Sequence, residues 1–192
     1  MTYGGKKHQM AELEAQTAAL REKIAELRRS QEPEQVADFE LKTANGESIR
    51  LSQLFAGKKE LFVVHNMGRG CPYCTLWADG FNGVVKHLEN RAAFVVSSPD
   101  APEIQTAFAK SRDWQFKMVS TIGTTFAKDL GYQMEDSLRP GVSVFVMGEK
   151  GNILRVSDAE FGPGDDYCQL WHMLDLLPKG ADGWQPKFAY RG

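Results

Sequence analysis

Two cysteines separated by two residues, Cys71 and Cys74, carry the chemistry most readily read from this sequence. They stand within LFVVHNMGRGCPYCTLW, residues 61–77. The apolar run Leu61-Phe62-Val63-Val64 reads as a buried strand. A glycine-rich loop, Gly68-Arg69-Gly70, precedes the first cysteine. A helical pattern follows, with Leu76, Trp77, Phe81, Val84, Val85 and Leu88. The CxxC therefore falls where a strand hands over to a helix, the context that gives this spacing a redox meaning. Residues at i and i+3 of a first helical turn share a face and can bridge. Cys71 then lies at the helix start, where unpaired N–H groups and the helix dipole favour an anion. A thiolate is the reactive form of cysteine, so this placement makes Cys71 the nucleophile. Pro72 at an early helical position sacrifices no backbone hydrogen bond. Cys74, one turn further in, would resolve the mixed disulfide. The competing readings are a pair of inert buried thiols, or half of a metal site.

The chain has 192 residues, 42% of them hydrophobic, with 11 Phe, enough for one domain and an appendage. A net charge of −2 and the lack of a basic, aromatic-interleaved patch argue against nucleic acid as a partner. No apolar run reaches membrane-spanning length, and the first residues have no signal-peptide core. A cytoplasmic, reducing compartment is expected. Three cysteines there do not form a structural disulfide framework, and a CxxC is catalytic or metal-binding.

The elements that must position the cysteines follow from periodicity. Residues from Lys7 to Ser30 read as one long helix. Met10, Leu13, Thr17, Leu20, Ile24 and Leu27 form an a/d seam about three heptads long. It could dock on its own domain or serve as a homodimer arm. Alternation around Asn45-Gly46 predicts a hairpin, and Ser52 to Phe55 a helical turn stopped near Gly57. Gly80 and Gly83 would kink the helix after the CxxC or permit close packing there. Ala92 to Ser97 is a second buried strand. Asp100-Ala101-Pro102-Glu103 predicts a helix start with Asp100 as N-cap. Trp114, Phe116 and Met118 alternate as a short strand or extended segment, and Thr124 to Leu130 is a short helix stopped by Gly131. Val142 to Met147 is a third strong strand, turned by Gly148 to Asn152 into Ile153 to Val156. Asp165 would cap a last helix carrying Tyr167, Leu170, Trp171, Leu174 and Leu177, ended by Pro178. The tail from Lys179 is read as wrapping the surface or disordered. Strands alternating with helices imply a parallel core with an antiparallel edge. The expected fold is α/β: a central mixed sheet flanked by helices (residues 33–180), with an N-terminal helical extension (1–32) and a tail (181–192).

That order is the thioredoxin pattern. Asp38-Phe39 through Leu54, with Gly57 and the Leu61 strand, resembles the peroxiredoxin and TlpA-like branch of that fold. More specifically, Gly70-Cys71-Pro72-Tyr73-Cys74, Leu76-Trp77-Ala78-Asp79-Gly80-Phe81 and His87-Leu88 resemble an uncharacterised thioredoxin-like family labelled predicted dithiol-disulfide oxidoreductases. Pro140 to Phe145 and Leu174 to Gly180 resemble its later stretches. The likeness runs from about residue 35 to residue 180. It implies dithiol–disulfide exchange but does not supply the substrate. The expected partner is a disulfide-containing protein or small thiol substrate, and no metal or organic cofactor is expected. Two departures stand out. Peroxiredoxins place Thr or Ser three residues, and Pro seven residues, before the reactive cysteine, and here those positions hold Gly68 and Val64. A thiol peroxidase using Cys71 therefore stays an alternative that the motif does not support, beside a non-catalytic zinc-binding or interaction module. Thioredoxins carry a cis-proline before the strand facing the CxxC, where this chain has Val142, with Pro140 two residues early.

Other residues admit two readings each. His65 stands six residues before Cys71, where thioredoxins keep a buried acid that moves the second cysteine's proton. A histidine could do similar work because it titrates near neutrality, or it could be a hydrogen-bonded core residue. Arg69 could lower the Cys71 pKa or be a solvated loop arginine. Trp77 and Phe81 are expected in the core, and Asp79 is a surface charge or a hydrogen-bonding group near the site. Cys168 and His172, at i and i+4, could complete a Cys₃His zinc set with Cys71 and Cys74, or Cys168 could be a small buried hydrophobe.

Overall fold

The computed structural model describes residues 3–135 and 137–190. The sequence periodicities resolve, in chain order, into α1 (Tyr3–Ser30), β1 (Glu34–Val36), β2 (Glu40–Lys42), β3 (Ser48–Arg50), a 3₁₀ turn (Leu51–Phe55), β4 (Glu60–His65) and α2 (Pro72–Arg91). There follow β5 (Ala93–Ser98), α3 (Pro102–Ser111), β6 (Lys117–Ser120), α4 (Phe126–Asp129), β7 (Gln133–Met134), β8 (Ser137–Leu138), β9 (Gly141–Met147), β10 (Ile153–Glu160) and α5 (Gln169–Leu174).

Eight of these strands form one mixed sheet, ordered β1-β10-β9-β4-β5-β6-β2-β3. β4, β5 and β6 are parallel, and β9 runs antiparallel to β4, pairing His65 with Gly141. This is the α/β arrangement of mixed sheet and flanking helices that the pattern implied, with the long helix at the N-terminus. β1, which adds to the β10 edge through Glu34 and Arg155, has only three residues and was not legible as a strand.

Strand alternation splits the core into two layers. Leu61 and Val63 of β4, Val95 of β5, Val119 of β6 and Phe145 of β9 face one side, against Leu41, Leu54, Phe126 and Tyr132. Phe62, Val64, Phe94 and Val96 face the other, against Trp77, Ala78 and Val85 of α2, and Phe161 and Trp171. Leu61, Val63 and Phe145 are fully excluded from solvent. Each such side chain contributes about 1.5–3 kcal/mol over its exposed state. β4 is thus clamped on both faces, which fixes the point at which it releases the chain into the cysteine loop.

Several local expectations change. α2 runs unbroken through Gly80 and Gly83, and a Cβ at either would meet open space, so neither glycine serves close packing. Asp100 does not cap α3. The N-cap is Ala101, and the Asp100 carboxylate turns to the cysteine loop instead. The last helix is shorter than the apolar spacing suggested and begins after Cys168. Asp165 instead accepts the N–H groups of Gly162, Tyr167 and Cys168 just before it. The tail wraps the surface: Trp184 meets Trp171, Phe188 meets Phe108, and Arg112 donates to the Phe188 carbonyl at 2.7 Å. Its last two residues lie outside the described ones. No helix of the described residues is long and apolar enough to cross a membrane.

Candidate functional site

Cys71 is the N-cap of α2, with extended backbone angles (φ −104°, ψ 107°) and Pro72 opening the first turn. Its carbonyl accepts the Thr75 N–H at 3.1 Å and the Thr75 hydroxyl at 3.0 Å, so the turn is closed twice. Its sulfur does what a Ser or Asp oxygen does at other N-caps: it accepts the Cys74 N–H, at 3.0 Å. The Cys74 thiol also donates to it, and the Tyr73 N–H adds a third donor. These donors outweigh partial burial and hold the Cys71 pKa down at about 7. Cys74 is 3% exposed. The Met67 N–H points at its sulfur, 3.5 Å away. The Cys74 pKa is pushed up, first because its proton is held by Cys71, and then by burial and the neighbouring thiolate. One thiol is therefore half-buried and readily ionised, and the other is buried and protonated.

The loop between β4 and α2 is held by residues that spacing alone did not single out. The Asn66 amide donates to the Cys74 carbonyl at 3.4 Å, and its carbonyl oxygen accepts the Gly68 N–H at 2.8 Å. Gly68 has φ +100°, and a Cβ there would lie 3.0 Å from an Asp100 carboxylate oxygen. That carboxylate accepts the Arg69 N–H at 2.8 Å and the Ser98 hydroxyl at 3.1 Å. Ser98 is fixed in turn by the buried Gln105 amide, at 2.9 Å. The Gly68-Arg69-Gly70 signal marked the loop, but Asn66, Asp100 and Gln105 carry no signature without knowledge of which strands are neighbours.

His65 lies on the face of β4 opposite α2. It shares that face with Leu61 and Val63, stacks on Tyr132 with ring centroids 3.7 Å apart, and shares a 2.9 Å hydrogen bond with Ser143 through Nε2. Burial, aided by the positive charge of Arg155, pulls its pKa down to about 3. The ring is neutral near pH 7, which departs from the expected group titrating near neutrality beside Cys74. Arg69 is exposed. It lines an open groove with Glu103, Ile104 and Phe108 on α3 and is not among the groups that lower the Cys71 pKa. The Arg139–Pro140 bond is trans, since no described peptide bond is cis.

Residues 2–190 match the family described as "Bacterial protein of unknown function (DUF899)". The chain belongs to that family. Comparison with curated proteins finds no match. Among solved structures, the DUF899 chain is similar to peroxidoxin BcpB from Mycobacterium tuberculosis, at 29% identity and TM-score 0.54, over 68% of this chain and 86% of that one. It also resembles a cysteine-to-serine mutant of Xylella fastidiosa PrxQ, at 16% identity and TM-score 0.54, over 68% and 85% of the two chains. A third similar structure is that of the Xanthomonas campestris bacterioferritin comigratory protein, which has alkyl peroxide reduction activity, at 16% identity and TM-score 0.50, over 66% and 85%. The last two likenesses concern the fold alone. The fold is thus thioredoxin-like, of the peroxiredoxin type.

The remaining candidates separate in space. Cys168 is 7% exposed in the layer with Trp77 and Trp171, and burial pushes its thiol pKa up. His172 points instead to Asp166, 3.4 Å away. Among the described residues no cluster of His, Cys, Asp or Glu is grouped to hold a metal. Asp79, on α2 behind the site, accepts the Arg112 guanidinium and the Trp114 indole N–H at 2.8 Å, so it ties α2 to the end of α3. A cavity of about 270 Å³ opens at the carboxyl ends of β4 and β5, lined by His65, Asn66, Ser98, Tyr132 and Arg139.

Proposed function

We propose that this DUF899 chain is a thiol–disulfide oxidoreductase, with Cys71 as nucleophile and Cys74 as resolving thiol, acting on a protein or small-molecule disulfide. The observation that carries this reading is the asymmetry of the pair. The Cys71 sulfur collects the Cys74 thiol and N–H and the Tyr73 N–H, while Cys74 is buried and keeps its proton.

The Cys71 thiolate attacks one sulfur of the substrate disulfide, and the other leaves as a thiolate that takes up a proton. The sulfur of Cys71 is then neutral. Two of the causes that held the proton on Cys74, the hydrogen bond to Cys71 and its negative charge, vanish together. The Met67 N–H favours the Cys74 thiolate that remains. Cys74 gives its proton to solvent, attacks Cys71 and releases the second substrate thiolate. The result is a Cys71–Cys74 disulfide and a substrate reduced by two electrons. This sequence needs no proton carrier, and we assign His65 a structural part in it.

A second reading is favoured by the peroxiredoxin likeness. The Cys71 thiolate would attack a peroxide oxygen and expel an alkoxide or hydroxide. Cys74 would then condense with the resulting sulfenic acid, releasing water. Both readings use the same pair and differ in the oxidant. Single-turnover oxidation of the reduced chain, with a small disulfide and with an alkyl peroxide at equal concentration, separates them. A rate with disulfide at least tenfold above that with peroxide supports the first, and the reverse order replaces it with the second. Cys74→Ser should stall as a mixed disulfide on Cys71 with the disulfide, or as a Cys71 sulfenic acid with the peroxide, and the absence of both products would sink both readings.

A further inference from the structure

α1 is 28 residues, about 42 Å of helix at 1.5 Å per residue. It meets the rest of the chain near β10, where Arg21 pairs with Asp166 and Ala25 is half-buried. The apolar seam faces elsewhere: Met10 is 48% exposed, Leu13 55%, Leu20 59%, Ile24 46% and Leu27 70%. Met10, Leu13, Glu14, Thr17 and Arg21 outline a shallow depression along it. The docking contact borders the seam without covering it, so the helix is held to its domain with its apolar stripe left exposed. Such a stripe marks an interaction surface.

We propose that α1 is a dimerisation arm that pairs antiparallel with α1 of a second copy of this chain. The sequence of α1 is complementary to itself in that direction. Aligning Met10 with Leu27 of the second copy also aligns Leu13 with Ile24 and Thr17 with Leu20, and the two-fold axis repeats each layer. The same register sets Glu14 beside Arg21 of the second copy, twice. The opposing pair is Lys7 with Arg28, near the two ends. Parallel pairing would instead stack Thr17 on Thr17 and set Lys23 against Arg28 on both sides, with no opposite-charge pair in exchange. It would also bring the two docking contacts, each near Arg21 and Ala25, level with one another. Antiparallel pairing offsets them along the arm, by about 8 Å at Arg21 and about 20 Å at Ala25. Arg21 keeps Asp166 while facing Glu14, since a guanidinium has five donors.

Sedimentation equilibrium of the full chain should give twice the 21.5 kDa chain mass at about 100 µM. Leu20→Glu, an exposed position whose change leaves the domain core untouched, should weaken the dimer at least 100-fold with the circular dichroism of the domain retained. Glu14→Arg should weaken it several-fold, more so at low salt. Spin labels at Arg29→Cys in a Cys71→Ser background should lie at least about 30 Å apart, since antiparallel pairing separates the two sites by about 21 residues of rise. A monomeric full chain would mean that the seam serves some other protein and overturns the proposal. So would a dimer indifferent to Leu20→Glu, or labels within about 20 Å, the signature of parallel helices.

Discussion

Replacing Cys74 by alanine should raise the titration midpoint of Cys71. The largest contribution holding that pKa at about 7 is the hydrogen bond from the Cys74 thiol, and the N–H donors of Cys74 and Tyr73 survive the substitution. The midpoint should therefore move part of the way toward the free-cysteine value of about 8.5. The limits are simple to work out. At pH 7 a group with a midpoint of about 7 is roughly half ionised, and one at about 8.5 is roughly 3% ionised, a ratio of about 16. The more basic thiolate is the better nucleophile, by about fivefold over that interval for a Brønsted coefficient near 0.45. Complete loss of the stabilisation would thus slow Cys71 at pH 7 by only about threefold. The midpoint is the informative quantity, not the rate. Iodoacetamide alkylation followed by mass spectrometry from about pH 5 to pH 10 would yield it for wild type, Cys74→Ala and Cys74→Ser, because the neutral reagent reads thiolate alone. The serine hydroxyl can still donate, so its midpoint should fall between the other two. An alanine variant whose midpoint is unchanged or lower would refute the argument that the Cys74 thiol holds the Cys71 thiolate. A serine variant shifted as far as alanine would do the same.

Other outcomes follow from the same geometry. His65 is protonated in the unfolded chain below about pH 6.5 but in the folded chain only near 3, so the fold loses stability as pH falls through that window. Urea unfolding should register a loss of about 2 kcal/mol from this group between pH 6.5 and pH 5, and His65→Gln should remove that share of the slope. Gly68→Ala should cost about 1–3 kcal/mol, since φ +100° and the Asp100 carboxylate both oppose a Cβ. An unchanged denaturation midpoint would mean that the loop relaxes freely. Asp79→Asn, which weakens the pairing with Arg112 and Trp114, should cost about 1–3 kcal/mol while leaving the Cys71 midpoint in place.

Sequence reading reached furthest where a local pattern and its tertiary use coincide. The Leu61 strand, the CxxC and the following helix are such a case: an apolar run, a proline and an amphipathic stretch each state their own role. Asn45-Gly46 gave its hairpin for the same reason. Reading failed where a residue answers to a neighbour distant in the chain. Asp100 has every local mark of an N-cap, yet its carboxylate is taken by the Arg69 N–H and by Ser98. His65 has the spacing of a proton carrier. The side of β4 on which it emerges is decided by a period of two, and that places it with Val63 rather than Val64. Asn66, whose one side chain braces both Gly68 and Cys74, was invisible because neither contact follows a repeat.

The donors gathered on the Cys71 sulfur also set the poise of the couple. A Cys71–Cys74 disulfide has no anion for the Cys74 and Tyr73 N–H groups to stabilise, so they favour the dithiol state alone. Their effect on the reduction potential grows with the thiolate fraction. A midpoint of about 7 in place of about 8.5 moves the potential in the oxidising direction by about 10 mV at pH 7 and about 30 mV at pH 8. The pair thus becomes a better electron acceptor in alkaline conditions, relative to a dithiol with unperturbed thiols.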